Sequence, residues 1–244
     1  MELWGITDTG RVRRENQDVF KILFDEDKGV AVLVVCDGMG GAKAGNVASA
    51  VAAETFMHHM GKYVEEIGAD SEITEKMVDA VLCANVAVHE KSKRSESYAG
   101  MGTTLTAVIS TDAGETVVNV GDSRVYHVTK SSIKQITTDH SVVEDMIARG
   151  DITRDQARRH PNKNLITRAL GATHLDKPDI FKFILDKGEY ALLCSDGLTN
   201  VVFDSEVLFE LQQSNSVRES CEKLIETALE RGAPDNVTAV IYRK

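Results

Sequence analysis

Four aspartates stand in glycine-rich or turn-like settings along the chain: Asp37 in Asp37-Gly38-Met39-Gly40-Gly41, Asp122 in Gly121-Asp122-Ser123-Arg124, Asp196 in Ser195-Asp196-Gly197 and Asp235 in Asp235-Asn236. Three of them follow apolar runs of strand character, residues 30–36, 117–120 and 191–194. Paired strands bring their ends to common edges, so acids at several strand ends can meet in one place. Carboxylates gathered without a cation repel and raise one another's pKa. Hard divalent ions such as Mg²⁺ and Mn²⁺ relieve that repulsion, because they prefer carboxylate, carbonyl and water oxygens. The pattern predicts a metal site.

The elements that must position these acids read as blocks. Residues 3–7, 19–24 and 30–36 form three strands, with a turn at Asp25-Glu26-Asp27-Lys28-Gly29. Two amphipathic helices follow, one with Val47, Ala48, Val51, Ala52, Phe56 and Met60 on a face, the other with Ile73, Met77, Val81, Ala84 and Val88. Strands return at 103–109, 116–120, 124–128 and 133–137. Short helices at 141–149 and 154–158 then interrupt the β pattern. Strands at 180–185 and 190–194, helices at 204–212 and 217–231 and a strand at 237–242 complete the chain. Strand blocks interleaved with paired helices predict stacked sheets with helices outside rather than a regular βαβ wind. Nothing resembling a linker or repeat occurs, so one domain over residues 1–244 is expected, with a helical insert at about 139–171.

Composition narrows the function. At 244 residues with 42% apolar content, a substantial core is within reach. A net charge of −10 argues against a nucleic-acid or anionic-membrane binder. Cys36, Cys83, Cys194 and Cys221 form no C-x-x-C pair, which predicts reduced thiols. The opening Met-Glu-Leu-Trp-Gly has no signal-peptide character, and no run approaches the ~20 apolar residues of a membrane span. A cytoplasmic protein is expected.

Each motif alone has an ordinary reading. Asp37-Gly38-Met39-Gly40-Gly41 can present Asp37 and the Gly38 carbonyl to a cation, or can simply start a helix after a strand. Arg13-Arg14-Glu15-Asn16-Gln17-Asp18 can offer a guanidinium fork to a phosphate, with Asp18 holding a metal-bound water, or can be a charged loop. The arrangement decides. Arg13-x-x-Asn16-Gln17-Asp18, Asp37-Gly38-Met39-Gly40-Gly41, Met101-Gly102-Thr103-Thr104, Gly121-Asp122-Ser123-Arg124, Asp139-His140-Ser141, Ile166-Thr167-Arg168-Ala169-Leu170-Gly171, Ser195-Asp196-Gly197-Leu198 and Asp235-Asn236-Val237-Thr238 occur in order. Together they resemble the type 2C metal-dependent serine/threonine protein phosphatases in their compact bacterial form, over nearly the whole chain.

That resemblance implies an α+β fold, a four-layer αββα sandwich with a central antiparallel β-sandwich flanked by helices. It implies a centre of two Mn²⁺ or Mg²⁺ ions bridged by Asp37, with Asp196 and Asp235 on one and the Gly38 carbonyl on the other. A third, weaker metal would fall to Asp122 and Asp196. Arg13 would bind the substrate phosphate, and Asp18 would act through water. A metal-bridging water, acidified towards neutrality, would attack phosphorus in line while Arg13 and the metals stabilise the equatorial oxygens. No cysteine is followed six positions later by arginine, so the C-x5-R loop of tyrosine phosphatases is absent. Implied partners are phosphoserine and phosphothreonine proteins and an opposing Hanks-type serine/threonine kinase; a monomer is expected.

The chain departs from the family pattern in places. Met39 stands where eukaryotic members have a histidine proposed as general acid, as is common in bacterial members. Gln17 replaces a frequent Glu, and Ala42 stands where many bacterial members have His. His58, His59, His89, His127, His160 and His174 show no metal-ligand spacing, whereas His140 invites either a catalytic reading or a helix N-cap neighbourhood served by Asp139 or Ser141. Between residues 149 and 168, six basic residues stand against two acids. Solvated side chains account for most of them, with Arg158, Arg159 and Lys163 as candidates for recognising protein substrates.

Two rival functions are weaker. Asp25-Glu26-Asp27 is similar to the D-x-D nucleophile of the haloacid-dehalogenase group, but Gly29 stands where Thr or Val would be needed, and a hairpin turn explains the segment. A catalytically silent phosphatase-like binding module would be expected to lose metal ligands first, and here all the inferred aspartates and Arg13 remain.

Overall fold

A computed structural model describes residues 1–39, 41–66, 72–171, 175 and 177–244, with the side chains of 41–43 excepted. Gly40, the Ala42 side chain and His174 therefore lie outside the described residues. One antiparallel sheet has the order β1 (Glu2–Asp8), β11 (Val237–Arg243), β10 (Tyr190–Cys194), β7 (Arg124–Val128), β8 (Ile133–Gln135). The other runs β2 (Asp18–Asp25), β3 (Val30–Met39), β5 (Leu105–Thr111), β6 (Gly114–Val120), β9 (Asp179–Phe183), with the two-residue β4 (Gly102–Thr103) paired to the end of β3. Helices α1 (Gly41–Glu66) and α2 (Ile73–Ser92) cover the second sheet. Helices α5 (Asp196–Thr199), α6 (Asp204–Gln213) and α7 (Val217–Glu230) cover the first. The chain is the expected central antiparallel β-sandwich flanked by helices.

β3 shows why its sequence is a continuous apolar run. Val30, Val32, Val34 and Cys36 pack towards α1 and α2, while Ala31, Leu33 and Val35 pack towards the other sheet. Both faces are buried, so the alternation of a half-exposed strand is lost. β10 and β11 do the same: Leu192, Cys194, Ala239 and Ile241 meet the helices, and Ala191, Leu193, Val240 and Tyr242 fill the space between the sheets. Leu33 is fully buried in that middle layer, where truncation to Ala would cost about 2–5 kcal/mol. On α1, Ala48, Ala52, Phe56 and Met60 are buried and Val47 and Val51 only partly so; the small alanines let the helix approach the sheet closely.

Boundaries moved where polar residues continue an element. β3 runs on through Asp37 to Met39, and Asp37 pairs in register with Asp18 at the start of β2. The strand expected at 103–109 is two, because Thr104 leaves the ladder between β4 and β5 to bond the Asp37 backbone. The insert holds only α3 (Val142–Ala148) and α4 (Arg154–Ala157), opened by Ser141 and by a Thr153–Gln156 capping box. The acidic segment at 25–29 is the β2–β3 hairpin turn, with Gly29 at φ +63° and the Lys28 N–H donating to Asp25.

This topology gathers the motifs. β3 and β6 both run antiparallel to β5 and so end at the same edge, delivering Asp37 and Asp122 there. β10 ends where its antiparallel neighbour β11 begins, which places Asp196 beside Asp235.

Candidate active site

Backbone bonds hold Asp37 from three sides. Its N–H donates to Thr104 Oγ1 (2.9 Å), and its carbonyl accepts from the Thr104 N–H (2.9 Å) and from Thr103 Oγ1 (2.9 Å). This is the service of Met101-Gly102-Thr103-Thr104: it satisfies the main chain of Asp37 and leaves the carboxylate for other work. The next residue must be glycine, since a Cβ on Gly38 would collide with the Gly45 carbonyl and lie 2.8 Å from that of Gln17. Gly197 is constrained likewise by the Asn236 carbonyl.

Asp18 is buried and faces Asp37 across β2 and β3. Its Oδ2 accepts from Ser195 Oγ (2.7 Å) and Thr238 Oγ1 (2.6 Å), and Ser195 Oγ in turn accepts from the Thr238 N–H (3.0 Å). Its Oδ1 is buried with no hydrogen-bond partner. Burial pushes the Asp18 carboxyl up to about 6, against the downward pull of the two hydroxyls, and Asp196 adds to the rise. Asp37 is raised well above the carboxylate range by burial and then by Asp18, Asp196, Asp122 and Asp235. Burial and Asp196 raise Asp122, and burial and Asp235 raise Asp196. Each acid is thus within electrostatic reach of others in the set.

Asn236 fastens the arginine loop to this edge. Its Oδ1 accepts from the Gln17 N–H (2.9 Å), and its Nδ2 donates to the carbonyls of Thr9 (2.9 Å) and Glu15 (3.0 Å). Arg13 Nη2 reaches Asp235 Oδ2 at 2.7 Å with its side chain half exposed, and the Asp235 contact raises the guanidinium pKa further. At the other side, Asn200 Nδ2 donates to Asp196 Oδ2 (3.0 Å), and its Oδ1 accepts from Lys163 of the insert (3.2 Å). An open groove of about 1590 Å³ runs from Asp122 and Asp196 between the insert and the start of α6, with Arg159, His160 and Phe203 along it. Arg158 lies 4.8 Å over the Phe203 ring.

All the expected residues, Arg13, Asp18, Asp37, Gly38, Asp122, Asp196 and Asp235, therefore lie at one edge of the sandwich. The supporting roles of Ser195, Thr238, Thr103, Thr104, Asn236 and Asn200 were not assigned from sequence, although all but Asn200 sit inside the motifs. The donor set is oxygen throughout and net negative, and the partnerless Asp18 Oδ1 is an acceptor awaiting a donor; both fit hard divalent cations. Among the described residues no three His, Cys, Asp or Glu side chains form a closed cage.

Comparison with known proteins agrees with this geometry. The family model for protein phosphatase 2C matches residues 11–239. The serine/threonine phosphatase stp of Listeria innocua is 33% identical, covering 98% of this chain and 94% of that protein. The serine/threonine phosphatase structure from S. agalactiae superposes with a TM-score of 0.91 at 33% identity, covering 100% and 99% of the two chains. The catalytic domain of the serine threonine protein phosphatase PstP, solved in complex with two manganese ions, gives 0.84 at 34% identity and covers 98% and 96%.

Proposed function

Because the chain belongs to the protein phosphatase 2C family, we propose that it hydrolyses phosphoserine and phosphothreonine on proteins at the acid edge of the sandwich, using two Mn²⁺ or Mg²⁺ ions. The observation that carries this reading is the cluster of Asp18, Asp37, Asp122 and Asp196, Asp18 and Asp122 buried and the other two partly so, whose carboxyls are all raised and in which one Asp18 oxygen is left without a partner. Asp37, Asp196, Asp235 and the Gly38 carbonyl would hold the two ions, and Asp122 with Asp196 a weaker third. When bound, such ions supply a water acidic enough to act as nucleophile at neutral pH, and they neutralise phosphate charge.

The protein's own part is placement. Arg13, half exposed at the rim, presents its fork to the phosphate oxygens and strengthens its hold as charge develops on them. Asp18, fixed by Ser195 and Thr238, orients water through its second oxygen. The groove between the insert and α6 admits an extended phosphorylated segment, with the insert as a flap on a single catalytic unit spanning residues 1–244. Arg158 and Lys163 are engaged with Phe203 and Asn200, so they shape that groove while Arg159 adds positive charge along it. If reversing the charges of Arg158, Arg159 and Lys163 leaves kinetics on a phosphoprotein unchanged at all salt concentrations, this role of the flap is refuted. The enzyme acts as a monomer against the products of a Hanks-type serine/threonine kinase. No described helix is long and apolar enough to cross a membrane.

Phosphate release from a phosphothreonine peptide, measured in Mn²⁺, in Mg²⁺ and with chelator, tests the reading. Release should depend on metal and fall about a thousandfold or more in Asp196→Asn, a loss of roughly 4 kcal/mol of transition-state stabilisation. Folded protein inactive in every metal would favour the silent binding module, and no feature of the structure favours that alternative. Release that survived chelation and mutation would refute the metal mechanism.

A further inference from the structure

Asp139-His140-Ser141 has no part in the chemistry above, and its three side chains face three ways. Asp139 accepts from Arg124 Nε and Nη2 and from Gln135 Nε2. Ser141 caps α3 by accepting from the Glu144 N–H (3.2 Å). His140, only 8% exposed, turns to the Gly121-Asp122 turn. Its backbone N–H donates to the Gly121 carbonyl (2.9 Å), and its Nδ1 lies 3.0 Å from the Gly121 nitrogen.

The partners assign the proton. A backbone N–H can only donate, so Nδ1 accepts and the neutral ring carries its hydrogen on Nε2. Nε2 lies 3.2 Å from Asp179 Oδ2 and donates to it. Arg168 Nη1, 2.9 Å from Nε2, donates to Asp179 Oδ1 at 2.6 Å, so the two nitrogens are neighbours on one carboxylate. Both ends of the imidazole are therefore occupied inside the protein. Gly121 itself is at φ +112°, and a Cβ there would come within 2.5 Å of Thr104 Cγ2, so its peptide has little freedom to find other partners.

We propose that His140 is a positioning residue: it grips the Gly121 peptide by both its N–H and its C=O, anchors that grip through Asp179 and Arg168, and thereby fixes Asp122 at the acid edge; it is not the proton donor to the leaving group. The proposal rests on the phosphatase reading, and activity of the parent protein in metal tests that reading separately.

Three variants divide the possibilities. His140→Asn places Oδ1 where Nδ1 accepted from Gly121, His140→Gln reaches only the Asp179 side, and His140→Ala removes both. Each is compared with the parent on a phosphothreonine peptide, whose alkoxide leaving group needs a proton, and on p-nitrophenyl phosphate, whose phenolate does not. His140→Ala and His140→Gln should lose about 10–100-fold in kcat on both substrates alike, the range found when a supporting residue is removed. His140→Asn should recover to within about threefold of the parent. A loss confined to the peptide would identify a general acid and overturn the proposal, as would His140→Asn no better than Ala, or all three variants at parental activity. Should the variants not fold, ¹⁵N chemical shifts of the parent imidazole decide: a neutral ring protonated on Nε2 at pH 7 is expected, and a proton on Nδ1 overturns the assignment.

Discussion

Two groups of carboxylates lie side by side at one edge of the sandwich and are treated in opposite ways. Asp139 receives three nitrogens of Arg124 and Gln135, and Asp179 receives Arg168 and His140, contacts that together hold the Asp179 carboxyl below the ordinary range despite some burial. Asp37, Asp122 and Asp196 are each raised by burial and by at least one neighbouring aspartate. Asp18 receives two hydroxyls on one oxygen and nothing on the other. Where an acid serves the fold, the chain supplies the charge and hydrogen bonds that its burial requires. Where it does not, the stabilising partner must come from outside the chain. The contrast locates function more sharply than burial or charge alone.

The largest effect should come from breaking the compensated group. Asp139→Ala leaves the Arg124 guanidinium largely buried without its carboxylate, at a cost of about 3–5 kcal/mol in denaturant unfolding. A cost below about 1 kcal/mol would mean that Arg124 finds water and that the two groups differ less than their geometry implies. The uncompensated group should respond with the opposite sign. In chelator, Asp37→Asn removes one member of a repelling set while keeping the shape, so stability at neutral pH should rise, because a carboxyl whose pKa is raised on folding opposes folding above its ordinary range. With Mn²⁺ added the parent should overtake the variant, since binding to the native state stabilises in proportion to RT ln(1 + [L]/Kd). A loss of stability in chelator would show that Asp37 has a compensating partner in the fold.

How far the sequence showed this depended on range. The doubly buried strands are legible because their apolar runs are unbroken, and the candidate metal aspartates because each sits near a strand end in a glycine or turn context. Asp37 itself was read as lying after its strand, since a charge ends an apolar run, yet it is a paired strand residue opposite Asp18. Helix α5, begun by Asp196, is four residues long and too short to show a period. The supports of Asp18 are harder still: Ser195 and Thr238 lie 177 and 220 residues away along the chain, and a hydroxyl carries no local sign of a distant carboxylate. The same holds for Asn236, whose three bonds to the Arg13 loop depend on how the two ends of the chain meet.

The finest test concerns Lys163, a cation of the helical insert that approaches the uncompensated group through an intermediary. Lys163 does not bond Asp196; it bonds Asn200, which bonds Asp196. If Asn200 orients the carboxylate, Asn200→Leu should weaken Mn²⁺ binding about tenfold by calorimetry, with little dependence on salt, because the amide that is removed carries no net charge to be screened. Lys163→Met removes only a partly exposed charge acting through an amide, and should change the affinity about twofold, in a manner that fades as salt is raised. Removing the positive charge should, if anything, favour the cation, whereas releasing Asn200 from the flap should oppose it. The sign of the small Lys163 effect therefore reports which of the two dominates. Equal losses for both variants, insensitive to salt, would show that the flap and the acid edge behave as one rigid unit, with Lys163 belonging to the compensated part of the molecule.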